Sequence, residues 1–130
     1  MIRKYSKSRD GEKKLSEHFK VKEFACKDGC DIIEIDDMLI ELLESLRMFI
    51  GKPIKVVSGY RTARYNEQCG GAKNSYHLKG QASDIRVEGI DPVKLAIYGA
   101  MTGARGIGIY KDYVHLDTRD DRYVWRKDNE

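Results

Sequence analysis

The sequence has 130 residues, of which 35% are charged and 41% hydrophobic, a composition that fits one globular domain with a single core. Its 24 basic and 21 acidic side chains give a net charge of +3, and this balance argues against nucleic acid as a partner. No run of about 18 apolar residues occurs, so we predict no membrane span. We also expect a monomer.

Residues 1–14 are polar and basic and show no periodicity, which predicts a flexible or loosely docked N-terminal arm. No apolar stretch follows their charges, so the segment is not typical of a secretory signal. We therefore expect synthesis in the cytoplasm, and action outside the cell would need a separate means of release. Residues 15–130 are predicted to form a single domain, because no repeat, proline-rich linker or low-complexity segment divides them.

Residues 36–50 form the clearest predicted helix. Asp36 or Asp37 can cap its start, and Gly51 followed by Pro53 ends it. The apolar residues recur at helical spacing and predict a buried stripe of Leu39, Leu42, Leu43, Leu46, Phe49 and Ile50.

Short strands and further helices follow this helix. Strands are predicted at residues 54–57, 83–88, 105–110 and 113–118, and helices at residues 61–69 and 92–102. A tight turn at Lys111 and Asp112 joins the last two strands, which makes them antiparallel neighbours. This order predicts an α+β fold with a small antiparallel sheet packed against two or three helices.

The sequence has three cysteines, Cys26, Cys30 and Cys69. This odd number argues against a full disulfide framework. Cys26 and Cys30 flank a turn-like triplet and could pair or hold a metal. A structural zinc site would also need Cys69 and His18. We expect the cysteines to behave as small buried apolar residues instead, which is the usual role of isolated cysteines.

Two histidines and one carboxylate are candidates for a metal site: His77, Asp84 and His115. Such a set is common for catalytic zinc and leaves one coordination position open for water. Because side chains alternate along a strand, Asp84 and His115 are predicted to lie on the face opposite the apolar side chains of their strands. Gly80 lets the loop with His77 turn back. The spacing alone leaves open whether these residues bind a metal or are ordinary polar side chains.

The segments SGYR (58–61), SYHLKGQASD (75–84), GIGIY (106–110) and YVHLDTR (113–119) resemble peptidase family M15. This family includes zinc D-Ala-D-Ala carboxypeptidases and phage endolysins, and it shares its fold with hedgehog signalling domains. The resemblance covers roughly residues 15–126. It implies that His77, Asp84 and His115 bind Zn²⁺ and that the substrates are peptidoglycan stem peptides.

The resemblance also implies roles for four other residues. Arg61 would hydrogen-bond the scissile carbonyl oxygen and stabilise the developing oxyanion. Asp112 is predicted to be the general base and Asp117 to orient a ligand histidine, although the reverse assignment stays open. Ser75 would bind the substrate or cap its loop. We expect Trp125 to be a core residue, whereas other aromatic side chains could line a groove, namely Tyr60, Tyr76 and Tyr113.

We therefore predict a zinc peptidase that acts on the bacterial cell wall. It would be either a D-Ala-D-Ala carboxypeptidase or an endopeptidase of the kind found in phage or prophage lysins. One alternative is a hedgehog-like module that holds zinc and binds a partner without catalysis. A second is a metal-free structural protein. Zinc content and peptidoglycan digestion distinguish these classes.

Overall fold

The computed structural model describes residues 1–127. Near the N-terminus, β1 (Ile2–Ser6) is followed by the short helix α1 (Lys7–Asp10) and pairs antiparallel with β2 (Ile32–Asp36). β2 buries Ile33 and Ile35, whereas most of β1 is exposed. Because β1 is exposed, its sequence is polar and does not predict a strand. Residues 1–14, predicted to be a flexible arm, thus contain a paired strand. The domain boundary at residue 14 stays a prediction.

A 14-residue helix, α2 (Asp37–Ile50), follows β2. The prediction that an aspartate caps it is confirmed, since the Asp36 carboxylate accepts a hydrogen bond from the Met38 backbone at 3.0 Å. Gly51 ends the helix with φ of +67°, which glycine adopts without steric cost. The apolar stripe is buried except at its end, because Phe49 is 52% exposed and its ring packs against Tyr98.

The second sheet has five strands: β3 (Lys55–Ser58), β4 (Ala82–Arg86), β5 (Gly106–Ile109), β6 (Val114–Asp117) and β7 (Tyr123–Arg126). Their spatial order is β3-β4-β6-β5-β7, and all pairs are antiparallel except β5 with β7. The predicted α+β class and antiparallel sheet are therefore confirmed. The parallel strand β7 was not predicted, because only four residues form it after a polar loop.

Two further helices complete the fold, α3 (Ala63–Gln68) and α4 (Pro92–Met101). Two 3₁₀ turns, Val21–Phe24 and Tyr76–Lys79, lie in the connections. Helix α4 packs closely on β6, since a Cβ atom at Gly99 would come within 2.8 Å of Leu116. Within residues 1–127, no helix is long and apolar enough to cross a membrane.

The core lies between the helices and one face of the five-stranded sheet. Ile85 of β4 and Val114 and Leu116 of β6 point into this core and are fully buried. Because side chains alternate along a strand, Asp84 and His115 lie on the opposite face. That face carries the polar site.

Candidate metal centre

Three side chains of metal-ligand type meet on this face: His77, Asp84 and His115. Nε2 of His77 and Nδ1 of His115 each lie 3.1 Å from Oδ1 of Asp84. All three residues are at most 7% exposed. We call them the ligand cluster, since one ligand atom from each lies within 4.8 Å of the others.

His77 reaches the cluster from the 3₁₀ turn Tyr76–Lys79. Ser75 caps this turn, because its hydroxyl accepts a hydrogen bond from the His77 backbone at 3.2 Å. Gly80 ends the turn with φ of +69°, and a side chain there would overlap the backbone of Glu34. The turn thus fixes the backbone of His77, and its Nδ1 lies 2.7 Å from the Gly59 carbonyl oxygen.

His115 is held by the sheet and by Asp117. In the ladder of β4 and β6, His115 lies directly opposite Asp84. Its Nε2 lies 2.7 Å from Oδ2 of Asp117, which is fully buried two residues further along β6. Each histidine therefore has one ring nitrogen toward Asp84 and the other against a fixed oxygen acceptor.

These outer contacts determine which nitrogens carry protons. A carbonyl oxygen only accepts hydrogen bonds, so Nδ1 of His77 must donate to Gly59. Ionised Asp117 likewise requires a proton on Nε2 of His115. In neutral imidazoles, the two inner nitrogens then direct lone pairs at the Asp84 carboxylate. Three hydrogen-bond acceptors that face one another in a buried space require extra protons or a cation. Two imidazole nitrogens and one carboxylate are a ligand set that suits Zn²⁺.

The pKa values of the site residues reflect the same attraction for positive charge. Burial raises the pKa of Asp84, but the hydrogen bonds that the His115 and His77 rings donate when their inner nitrogens carry protons lower it by more, so it lies well below its ordinary value. Burial lowers the pKa of His115, whereas hydrogen bonds to Asp117 and Asp84 outweigh this and raise it. The site therefore favours positive charge between the carboxylate and the rings.

Arg61 borders the ligand cluster. Its Nη2 donates to Oδ2 of Asp84 at 3.0 Å, its Nε to Ser58 at 3.1 Å and its Nη1 to Asn66 at 3.2 Å. Its side chain is 13% exposed, so the guanidinium is fixed but still reaches the open space. Asn66 is buried and was not predicted. The side chain of Asn66 also donates to the Ala72 carbonyl at 2.8 Å.

The ligand cluster opens into a cavity of about 670 Å³, which we call the cleft. Tyr110 and Tyr113 stack in its wall with ring centroids 4.5 Å apart. Trp125 lies 5.0 Å from the His115 ring and donates from Nε1 to the Tyr110 hydroxyl at 3.0 Å. The prediction that Trp125 belongs to the core is wrong, because strand β7 places this side chain beside the ligand cluster.

The predicted general base lies elsewhere. Asp112 is exposed in the turn between β5 and β6 and lines a neighbouring cavity of about 850 Å³, not the cleft. An offset of three residues from His115 reverses the side-chain direction in a strand. Asp117 contacts His115 as the orienter would, but its catalytic role stays a prediction, as does that of Asp112.

The cysteines take no part in the cleft's ligand cluster. Cys26 is buried, Cys30 is half-buried and Cys69 is exposed but borders the cleft. Among the described residues, no group of three ligand-type side chains includes a cysteine. His18 instead pairs with Glu44, with Nδ1 2.6 Å from Oε2. The arrangement gives no support to a structural zinc site.

Comparison with known proteins gives a family match and several similar proteins. Residues 15–117 match the family model described as peptidase M15. The chain is 37% identical over 101 residues to the peptidoglycan L,D-endopeptidase MepK of Escherichia coli (strain K12), covering 71% of this chain and 56% of that protein. It is 38% identical over 80 residues to a probable MepK of Haemophilus influenzae, covering 56% of this chain and 42% of that protein. The chain therefore spans about half the length of the curated relatives it matches.

Proposed function

The chain belongs to the peptidase M15 family, and we propose that it is a zinc-dependent peptidase that hydrolyses peptidoglycan stem peptides. The observation that carries the proposal is the ligand cluster, whose inner nitrogens both face the Asp84 carboxylate. The outer nitrogens are held by the Gly59 carbonyl and Asp117, as is common for histidines that bind metals.

His77, Asp84 and His115 would hold the zinc. When bound, the ion supplies Lewis acidity toward a carbonyl oxygen and toward water. Arg61 would donate a hydrogen bond to the oxygen of the scissile carbonyl, since its guanidinium stays charged and lies beside Asp84. Asp117 would orient His115, and Ser75 would keep the His77 turn in place rather than bind substrate.

Within this class we favour an endopeptidase over a D-Ala-D-Ala carboxypeptidase. The relatives in Escherichia coli and Haemophilus influenzae are both named L,D-endopeptidases. The cleft is lined by residues 69–76 as well as by Tyr110, Tyr113 and Trp125, so its space extends beyond the ligand cluster. An endopeptidase needs such space, because its substrate continues on both sides of the bond.

Acting on the cell wall places the proposed activity outside the cytoplasmic membrane. The predicted route, synthesis in the cytoplasm followed by release, remains a proposal, and so does the monomeric state. Assignment to a phage or prophage lysin is likewise a proposal, with no further support from the relatives.

Digestion of purified peptidoglycan tests the function. The protein is incubated with cross-linked and linear muropeptides, with and without a chelator, and the new termini are identified by mass spectrometry. We expect cleavage within a cross-link or stem, loss of activity with chelator and recovery with added zinc. Release of terminal D-Ala alone would indicate a carboxypeptidase. Retained zinc without any product would indicate a binding module and contradict the proposal.

A further inference from the structure

We propose that Arg119 is a positioning residue of the metal centre, which fixes Asp117 so that Asp117 can fix His115. Nε of Arg119 donates to Oδ1 of Asp117 at 2.9 Å, and Nη2 donates to Oδ2 at 2.6 Å. The backbone nitrogen of Arg119 donates to Oδ1 as well, at 3.1 Å. The guanidinium thus binds the carboxylate with two parallel hydrogen bonds, the geometry that most restricts its orientation.

The same carboxylate holds the histidine. Oδ2 of Asp117 accepts from Nη2 of Arg119 and from Nε2 of His115, which lies 2.7 Å away. Because Arg119 fixes the plane of the carboxylate, the direction of its hydrogen bond with His115 is fixed too. This bond determines where Nδ1 of His115 points, toward Asp84. A run of direct contacts therefore leads from Arg119 to the metal-facing nitrogen.

Arg119 is itself confined by an aromatic cage, formed by Tyr76, Tyr123 and Trp125. Its guanidinium carbon lies 4.5 Å from the Tyr76 ring centroid, 5.4 Å from that of Trp125 and 5.6 Å from that of Tyr123. Tyr76 directly precedes His77, and Trp125 packs against His115. Arg119 therefore contacts the neighbours of both histidines, which come from separate segments.

The arrangement also compensates charge. Asp117 is fully buried, and the side chain of Arg119 is only 18% exposed. Among the described residues, removing the guanidinium would leave the buried carboxylate with hydrogen bonds from His115 and from the backbone at residue 119 but without its arginine partner. Gly106 lies opposite Asp117 in the ladder of β5 and β6, and a Cβ atom there would overlap the carboxylate. The backbone thus leaves room for this ion pair and little else.

The inference rests on the metal centre of the proposed function, and zinc affinity tests it without using peptidase activity. Dissociation constants are measured by chelator competition for the wild type, Arg119→Gln, Arg119→Lys, Asp117→Asn and the double variant Arg119→Gln/Asp117→Asn. We expect Asp117→Asn to bind zinc about 10- to 100-fold more weakly, the usual effect of losing a residue that orients a ligand, and Arg119→Gln to lose about 10-fold, since Asp117 keeps its contact with His115. Arg119→Lys should lose less, since it keeps the charge but not the paired hydrogen bonds.

The double variant tests whether Arg119 acts through Asp117. We expect it to bind zinc no more weakly than Asp117→Asn alone, because residues acting in series are not additive. Arg105→Gln is the matched control, since Arg105 contacts the same loop through the Asp120 carbonyl at 2.9 Å and should keep wild-type zinc affinity.

Each other outcome is decisive. Wild-type zinc affinity in Arg119→Gln, or losses that add in the double variant, would overturn the inference. A lower melting temperature with unchanged zinc affinity would show a structural role only. If Arg119→Gln does not fold, Arg119→Lys and Asp117→Asn carry the comparison. A wild type that binds zinc but cleaves nothing would end the peptidase proposal while leaving this inference in place.

Discussion

Asp84 and His115 face each other directly across the ladder of β4 and β6, and Oδ1 of Asp84 lies 3.1 Å from Nδ1 of His115. Two candidate ligands from adjacent strands are thereby held by the backbone hydrogen bonds of the ladder, and the third, His77, comes from a turn. A metal site built mainly on a sheet would be formed in the folded protein before binding, so zinc binding would require little ordering of the chain.

Zinc binding should therefore stabilise the folded protein, because the unfolded chain has no such site. At a free zinc concentration about 1,000 times the dissociation constant, the free energy of unfolding should rise by about 4 kcal/mol. Thermal unfolding with added zinc and with chelator measures this change. Asp84→Asn should lose most of the shift, since it removes the only carboxylate of the ligand cluster. An identical shift in that variant would exclude Asp84 as a ligand.

Arg61→Lys should impair the chemical step while zinc stays bound. The lysine keeps the charge but cannot reproduce the three fixed contacts of the guanidinium. We expect kcat to fall about 100- to 1,000-fold, as for other donors to a developing oxyanion. Steady-state kinetics and metal analysis check this together. A higher KM with unchanged kcat would show that Arg61 only binds substrate.

Asp112→Asn tests the prediction that Asp112, and not Asp117, is the general base. Asp112 is exposed outside the cleft, so we expect nearly wild-type kcat. Loss of a general base would instead lower the rate about 100- to 10,000-fold. The variant needs no separate folding control beyond a melting curve, because its side chain is on the surface. A large loss of kcat at normal zinc content would restore Asp112 as the base.

Acid should weaken the fold partly through Asp36, which lies away from the ligand cluster. Burial raises its pKa, but hydrogen bonds from Gln81 and the Met38 backbone lower it by more, giving a net decrease. A depressed folded pKa means that the stabilisation is complete above the unfolded value, about 3.9, and is lost as pH falls through the folded one.

Asp36→Asn tests this directly, because asparagine caps a helix about as well as aspartate but does not titrate. In zinc-free protein, the free energy of unfolding of the wild type should fall more steeply below about pH 4 than that of the variant. Urea unfolding across this pH range provides the measurement. Parallel curves would show that Asp36 contributes nothing to acid sensitivity.

Much of the fold could be predicted from local patterns. The helix at residues 36–50 and the strands with Asp84 and His115 follow from apolar periodicity, which reflects burial against the core. Strands β1 and β7 could not be predicted this way. β1 is mostly exposed, so its sequence lacks an apolar pattern. β7 is held by its pairing with β5, a contact that the local sequence of β7 does not show.

The family, the α+β class and the identity of the three candidate ligands could be predicted from the amino-acid sequence, because they depend on residue types and their spacing along the chain. The folded structure was needed to show which nitrogens face Asp84, that Asp112 lies outside the cleft and that Arg119 and Trp125 border it. These properties depend on strand register and on side-chain contacts between segments far apart in the chain. Local sequence patterns carry no information on such contacts.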